Sequence, residues 1–272
     1  MQRGDGAARI VLKQRAGRTE LADLYQSDPC RVLFPGPDPG EPFLAVLLTT
    51  SGGLAGGDKI EIEVDAGADT ISVVSSQSAE KIYRSLGPST VIRAKLTASP
   101  GAWLEWLPHE TILFDAARLD RRIEMHVASG ARVLAGELIV LGRTARGESF
   151  DQGLLHEAWR VMRDDKLVWA DVMRLDGDIP ALFSNPAGLA GNFAQATVVL
   201  AADDAPMYLK AARAALDDCR SKSALTAVNG LLVARFLARD AQLLRREVGL
   251  LWLALRRAAG GPAAPLPRVW TN

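Results

Sequence analysis

The sequence predicts a mainly β body, arranged as a sandwich, a barrel or stacked sheets, followed by two or three C-terminal α-helices. Three observations predict it. Short stretches rich in Val, Ile and Leu recur at about eight- to twelve-residue spacing between Gly or Pro turns. Several of them alternate apolar and polar side chains, the period of a half-buried strand. After about residue 204 the apolar spacing becomes helical.

Residues 1–34 read as one or two strands around the kernel Ile10-Val11-Leu12. Pro35 to Pro42 is a loop by composition, because Pro fixes φ and Gly interrupts regular structure. Phe43 to Leu48 is a strand, and Ser51 to Asp58 is a Gly-rich turn. From Lys59 to Asp65, Ile60, Ile62 and Val64 face one side, and Lys59, Glu61 and Glu63 the other. Thr70 to Ser75 is rich in β-branched residues, and Ser89 to Thr97 alternates again. The turn Ala98 to Gly101 feeds a strand from Trp103, and Ser129-Gly130 opens another that carries Glu137. His156 to Arg163 and Lys166 to Leu175 form a hairpin turning at Asp164-Asp165. Pro206 to Cys219 and Val228 to Ala259 have helical spacing. In the second, Leu232, Phe236, Leu243, Leu244 and Val248 share a face, with Arg235, Arg239, Arg245 and Arg246 largely outside it. The tail from Pro262 is Pro-rich, and its Trp270 predicts docking in place of fraying. The chain reads as one domain over 1–272, with a β-rich body over 1–203 and a helical part and tail over 204–272.

Composition narrows the function. Lys plus Arg and Asp plus Glu both number 32, which argues against nucleic acid or an acidic membrane as partner. Cys30 and Cys219 belong to no CxxC pair and read as reduced thiols. The basic N-terminus lacks the apolar core of a secretory signal, and Leu250 to Leu255 is too short to span a bilayer, so a cytoplasmic location is expected.

The most informative stretch runs from Trp103 to Arg143. Glu105 sits between Trp103-Leu104 and Trp106-Leu107, and Glu137 sits inside the apolar run Val133 to Leu141. Such a run reads as a strand buried on both faces. A carboxylate there needs a partner, a proton, a wet cavity or a metal, so Glu137 is a candidate functional residue. The bland alternative pairs it with a buried Arg such as Arg132 or Arg143.

Other motifs are weaker. The loop Gly52 to Asp58 lacks a following Gly-Lys-Ser/Thr and leads into a strand, so it is neither a phosphate loop nor a dinucleotide fingerprint. It reads as a tight turn needing positive φ, or as a place where backbone approaches another chain closely. Glu80 to Ser85 reads as a solvated charged turn or a contact surface anchored by Tyr83 and Arg84. His109, His126 and His156 form no zinc motif. No nucleophile elbow or supported catalytic Cys is present in the sequence. A carboxylate-dependent hydrolase using Glu105, Glu110 or Glu137 is the enzyme alternative.

Taken together, Ser51 to Asp58, Ser78 to Ser85, Leu104 to Asp115, Leu141-Gly142-Arg143, Gly147-Glu148 and Pro267 to Trp270 make the chain resemble the UreD (UreH) family of urease accessory proteins. The resemblance covers nearly the whole chain and departs at His109, where Gln is common. It implies a mostly β fold of stacked strands in a helical-like arrangement with a few α-helices. It also implies a non-enzymatic factor that assembles with UreF and the GTPase UreG on the urease apoprotein and helps deliver Ni²⁺, with no cofactor permanently bound. On that reading Asp58, Glu137, Glu105, Glu110 and Asp115 are the candidates for lining a nickel passage, because weak serial oxygen ligands let an ion leave again. Tyr83, Arg84, Arg235, Arg239 and Trp270 are the candidate partner contacts, with UreF placed at the C-terminal helices and tail. A purely structural adaptor without ion passage is the remaining alternative.

Overall fold

Side-chain alternation decides which sheet meets water and which is enclosed. The structure, a computed structural model, describes residues 3–36 and 40–271, so residues 37–39 of the Pro-rich loop lie outside the described residues. β1 (Asp5–Arg15) and β2 (Arg18–Gln26) form an antiparallel hairpin at one edge of a first sheet. β3 (Cys30–Leu33) and β4 (Phe43–Thr49) form another at the edge of a second sheet. Three strands therefore occupy the region where one or two are expected.

The chain then shuttles between the sheets. β5 (Lys59–Ala66) lies in the first, and β6 (Ile71–Ser76) in the second, followed by the short β7 (Glu80–Ile82). β8 (Thr90–Ala98) returns to the first, β9 (Trp103–Leu107) to the second, and the short β10 (Thr111–Leu113) bridges β7 to the strand carrying Glu137. β11 (Arg118–Val127) joins the first sheet and β12 (Arg132–Leu141) the second. Neighbouring strands β1, β5, β8 and β11 run parallel, as do β4, β6, β9 and β12, each reached by an excursion through the other sheet. This is the coil of a β-solenoid of stacked sheets. The hairpin of β13 (Leu154–Arg163) and β14 (Lys166–Leu175) closes the first sheet, turning at Asp164 and Asp165, both at positive φ.

After the short α1 (Ile179–Ser184), β15 (Ala194–Ala201) pairs antiparallel with β12. α2 (Leu209–Ala214) precedes the hairpin of β16 (Lys222–Val228) and β17 (Leu231–Ala238), and α3 (Ala241–Ala258) and the short α4 (Arg268–Thr271) end the chain. The helical expectation for Val228 to Ala259 is thus corrected in its first third. Residues four apart share a face in a strand as well as in a helix, so Leu232 and Phe236 fit both. Asn229-Gly230, at φ of 48° and 80°, is a two-residue turn that selects the hairpin. The segment 204–272 accordingly holds a hairpin as well as helices.

Strands of the first sheet alternate buried and open positions, as in β8 and β11, and its outer face is charged. Strands β9, β12 and β15 of the second sheet are buried along nearly their whole length, because α3 covers the face turned away from the first sheet. Two apolar clusters result, one between the sheets and one between the second sheet and the helices. In the Gly-rich loop, Gly52, Gly53 and Gly57 have positive φ, and a Cβ on Gly56 would lie 2.5 Å from the Pro88 carbonyl oxygen. The close approach is made within the chain itself.

Candidate functional site

Glu137 and Glu105 point to opposite faces of the second sheet. On β12, Val133, Ala135, Ile139 and Leu141 face the first sheet and Glu137 shares their phase. There it meets a polar layer inside the apolar inter-sheet core. Its Oε2 lies 2.6 Å from Nη1 of Arg121 on β11, and its Oε1 accepts a hydrogen bond from Trp106 Nε1 at 2.8 Å. Arg121 also donates to Glu157 of β13 at 3.2 Å and to the Thr111 hydroxyl at 2.8 Å. Glu157 in turn accepts from Trp159 Nε1 at 3.2 Å and from the Gln195 amide at 3.3 Å.

One guanidinium therefore faces two carboxylates in a buried layer. Burial pushes the Glu137 carboxyl up to about 7, against the pull of Arg121 and with a further push from Glu157. Glu137 Oε2 has the ion contact but no hydrogen bond of good geometry, and Arg121 Nε has none either. Both residues also line a cavity.

That cavity, about 160 Å³, lies between the sheets and is lined among others by Cys30, Glu80, His109, Thr111, Arg121 and Glu137. It has room for several waters. Glu80 accepts from the Thr49 hydroxyl at 3.0 Å, and burial raises its pKa. Burial pushes the Cys30 thiol up to about 11, which keeps it protonated and a poor ligand. Burial, and then the nearby Arg245, lower the pKa of His109, which favours a neutral imidazole. Gln77, Ser78, Ala79 and His109 line both this cavity and an outer pocket of about 550 Å³ that also carries Glu110, Arg245 and Val269. Glu110 lies 3.8 Å from Arg245, and its Oε2 has no hydrogen-bond partner. The two spaces meet at His109, so an acid stands at the outer end and another deep inside.

The other sequence candidates lie elsewhere. Glu105 faces the helices, fully enclosed. Its Oε1 accepts from Trp103 Nε1 and Arg256 Nε, both at 2.8 Å, and its Oε2 from Trp252 Nε1 at 2.7 Å and Arg256 Nη2 at 2.5 Å. Asp58 accepts from the Gly4 amide at 2.8 Å and the Ala55 amide at 2.7 Å, tying the Gly-rich loop to the N-terminal strand. Asp115 accepts from the amides of Asp151 and Gln152 at 3.0 and 3.2 Å. Neither space is lined by these three. Among the described residues no three His, Cys, Asp or Glu side chains gather as a metal cluster. The anticipated Arg partners of Glu137 are engaged elsewhere: Arg132 pairs with Asp204 and Arg143 with Glu148.

Of the expected partner contacts, Arg84 is exposed, and Tyr83 is half-buried on Phe114 with its hydroxyl donating to the Gly52 carbonyl at 3.0 Å. Glu80 to Ile82 is strand, not the expected turn, because β10 supplies a parallel neighbour. Arg235 and Arg239 are exposed on and just after β17, with Arg235 paired to Asp171. Trp270 is 3% exposed and donates to the Pro108 carbonyl at 3.1 Å, so the tail docks on its own body beside His109.

Arg121, Glu157, Gln195, Glu80 and Thr111 escape the sequence reading. The signal was present for two of them: Arg121 shares the phase of Leu119, Ile123 and Met125, and Glu157 that of Leu155, Trp159 and Val161.

The profile described as UreD urease accessory protein matches residues 4–271. A protein of Magnetococcus marinus named urease accessory protein UreD is 45% identical over 270 residues, covering 97% of this chain and 93% of that relative. Proteins of the same name from Xanthobacter autotrophicus and Azorhizobium caulinodans are 43% and 42% identical, covering 100% and 99% of this chain and 91% and 97% of the relatives. An accessory factor, and not a catalyst, is what such kinship means, and the chain belongs to the UreD urease accessory protein family.

Proposed function

We propose that the chain serves urease maturation by passing Ni²⁺ to the urease apoprotein through the space between its two sheets, within an assembly that includes UreF and UreG in the cytoplasm. One observation carries this reading: the inter-sheet cavity bearing Glu137, Glu80 and Thr111 adjoins the outer pocket bearing Glu110 at His109. A divalent ion crossing a protein must exchange part of its water for ligands at each step. Isolated carboxylates, hydroxyls and a single imidazole bind such an ion weakly enough to release it. Glu137 and Glu157 outweigh Arg121 in charge when both are ionised, and a cation entering the cavity favours loss of the Glu137 proton. The ion is cargo, so no cofactor stays bound. The apoprotein, UreF and UreG are the partners we assign, with Arg84 and the exposed outer edge of α3 around Leu250 as docking regions.

The test is urease activation in a host carrying the urease subunits and the other accessory proteins. Glu137→Gln keeps the shape and removes the charge. Urease nickel content and activity are expected to fall several-fold, while the accessory complex still assembles. Full nickel content with an intact complex sinks the passage and leaves the adaptor reading, which the ion pair of Glu137 with Arg121 favours.

A further inference from the structure

Four cations gather at the start of α3 around a single acid. Arg220, Lys222, Arg239 and Arg246 line one pocket of about 430 Å³ formed by β16, the end of β17 and the first turn of α3. None of the four has an ion-pair partner among the described residues, in a chain with equal numbers of acids and bases. The one acid in the lining is Asp240, and its Oδ1 is occupied as the helix cap, accepting from the amides of Gln242 and Leu243 at 2.9 and 3.0 Å. Glu247 is turned inward, accepting from the amides of Arg220 and Ser221 at 2.7 and 3.1 Å. Arg239 is seated by its Nε on the Gly191 carbonyl at 3.1 Å, and among the described residues its two terminal nitrogens have no hydrogen-bond partner.

An independent observation lies between two of these cations. Ser221 lines the same pocket and is only 8% exposed, yet its hydroxyl has no hydrogen-bond partner. A buried hydroxyl left unpaired is a standing cost that an oxygen ligand removes. The N-terminus of an 18-residue helix opens at the same place, but the Asp240 carboxylate takes two of its amides and offsets its field, so the four cations carry the attraction.

We propose that this pocket binds a phosphate-type oxyanion, with Arg220, Lys222, Arg239 and Arg246 around it and Ser221 donating from its floor. Donors from the start of β16, the residue after β17 and α3 around one pocket suit a tetrahedral group with several acceptor oxygens. A carboxylate presents one edge, which a single guanidinium fork already fills. The pocket shares no lining residue with the inter-sheet cavity or its mouth, so the proposal stands apart from nickel passage.

The experiment is isothermal titration of the full chain with inorganic phosphate, pyrophosphate, adenosine diphosphate and succinate at fixed ionic strength. Saturable binding of a phosphate probe at millimolar concentration or below is expected, with succinate at least tenfold weaker. Preference for the free anions or for the nucleotide tells the two sources apart. Arg239→Gln with Arg246→Gln is expected to weaken binding at least tenfold. Ser221→Ala is expected to weaken it several-fold without lowering the unliganded melting temperature, an effect a merely structural serine does not produce. Glu137→Gln should bind as the wild type does, which separates this site from the passage. Absence of saturable binding, equal binding of succinate, or variants that bind like the wild type would each overturn the proposal.

Discussion

Two carboxylates buried in one sheet have opposite electrostatic settings. Glu105 has four donors on its two oxygens, and Glu137 shares a single guanidinium with Glu157. The difference is testable by pH. Glu137 is raised from 4.5 to about 7 in the folded chain, chiefly by burial. The folded state therefore holds a proton that the unfolded state has released between those values. Stability from this group is fully present below about pH 4.5 and is lost as pH rises through 7. Glu137→Gln, which cannot ionise, is expected to lose less stability than the wild type over that window. Urea denaturation midpoints of both proteins across the range check this, and parallel profiles would show that Glu137 ionises normally. Sequence alone marked Glu137, because a charge inside an apolar nine-residue run is conspicuous. It did not mark Arg121, which stands beside the exposed Arg122 in a strand of ordinary alternation.

At the scale of elements, Glu105 clamps α3 and the tail to β9. Arg256, near the end of α3, bonds Glu105 and also donates to the carbonyls of Ala264 and Pro265 at 2.7 and 3.0 Å. Helix, sheet and tail thus meet at one guanidinium. Arg256→Met keeps much of the volume but leaves Glu105 without its counter-charge, and is expected to cost about 3–5 kcal/mol. Adding Glu105→Gln should restore most of that loss, and equilibrium denaturation of the two variants measures it. A cost no smaller in the double variant would assign the effect to packing. The strands were legible to the extent that their residues alternate, as in β5 and β8. The doubly buried β12 was legible from its unbroken apolar run. The β16–β17 hairpin was not, because Leu232 and Phe236 satisfy a strand and a helix alike and only the two-residue turn Asn229-Gly230 tells them apart. Which strand lies beside which was hidden as well, since each parallel neighbour is reached only after an excursion through the other sheet.

For the whole molecule, stacking parallel coils brings distant segments to one cavity and its mouth. Glu80 comes from β7, Thr111 from β10, Arg121 from β11 and Glu137 from β12, while the tail supplies Val269 to the wall of the mouth. No single stretch of sequence carries the site, so Glu110 and Glu137 were readable as acids but not as its two ends. Asp58, Glu105 and Asp115 are acids of the same kind in sequence, but loop amides hold the first and last and Arg256 of α3 holds Glu105. A carboxylate variant perturbs charge and hydrogen bonding together, so a steric variant tests the proposed passage by itself. Ala79 is half-buried where the outer pocket meets the cavity, and solvent beside it leaves room for a larger side chain. Ala79→Trp is therefore expected to leave the melting temperature and complex assembly near wild type while urease nickel content falls several-fold, as measured by metal analysis of the purified enzyme. Ala79→Ser, which adds an oxygen and little volume, should activate normally. If the Trp variant loads urease as well as the Ser variant does, ions do not travel between these sheets, and the chain acts in urease maturation by its surfaces alone.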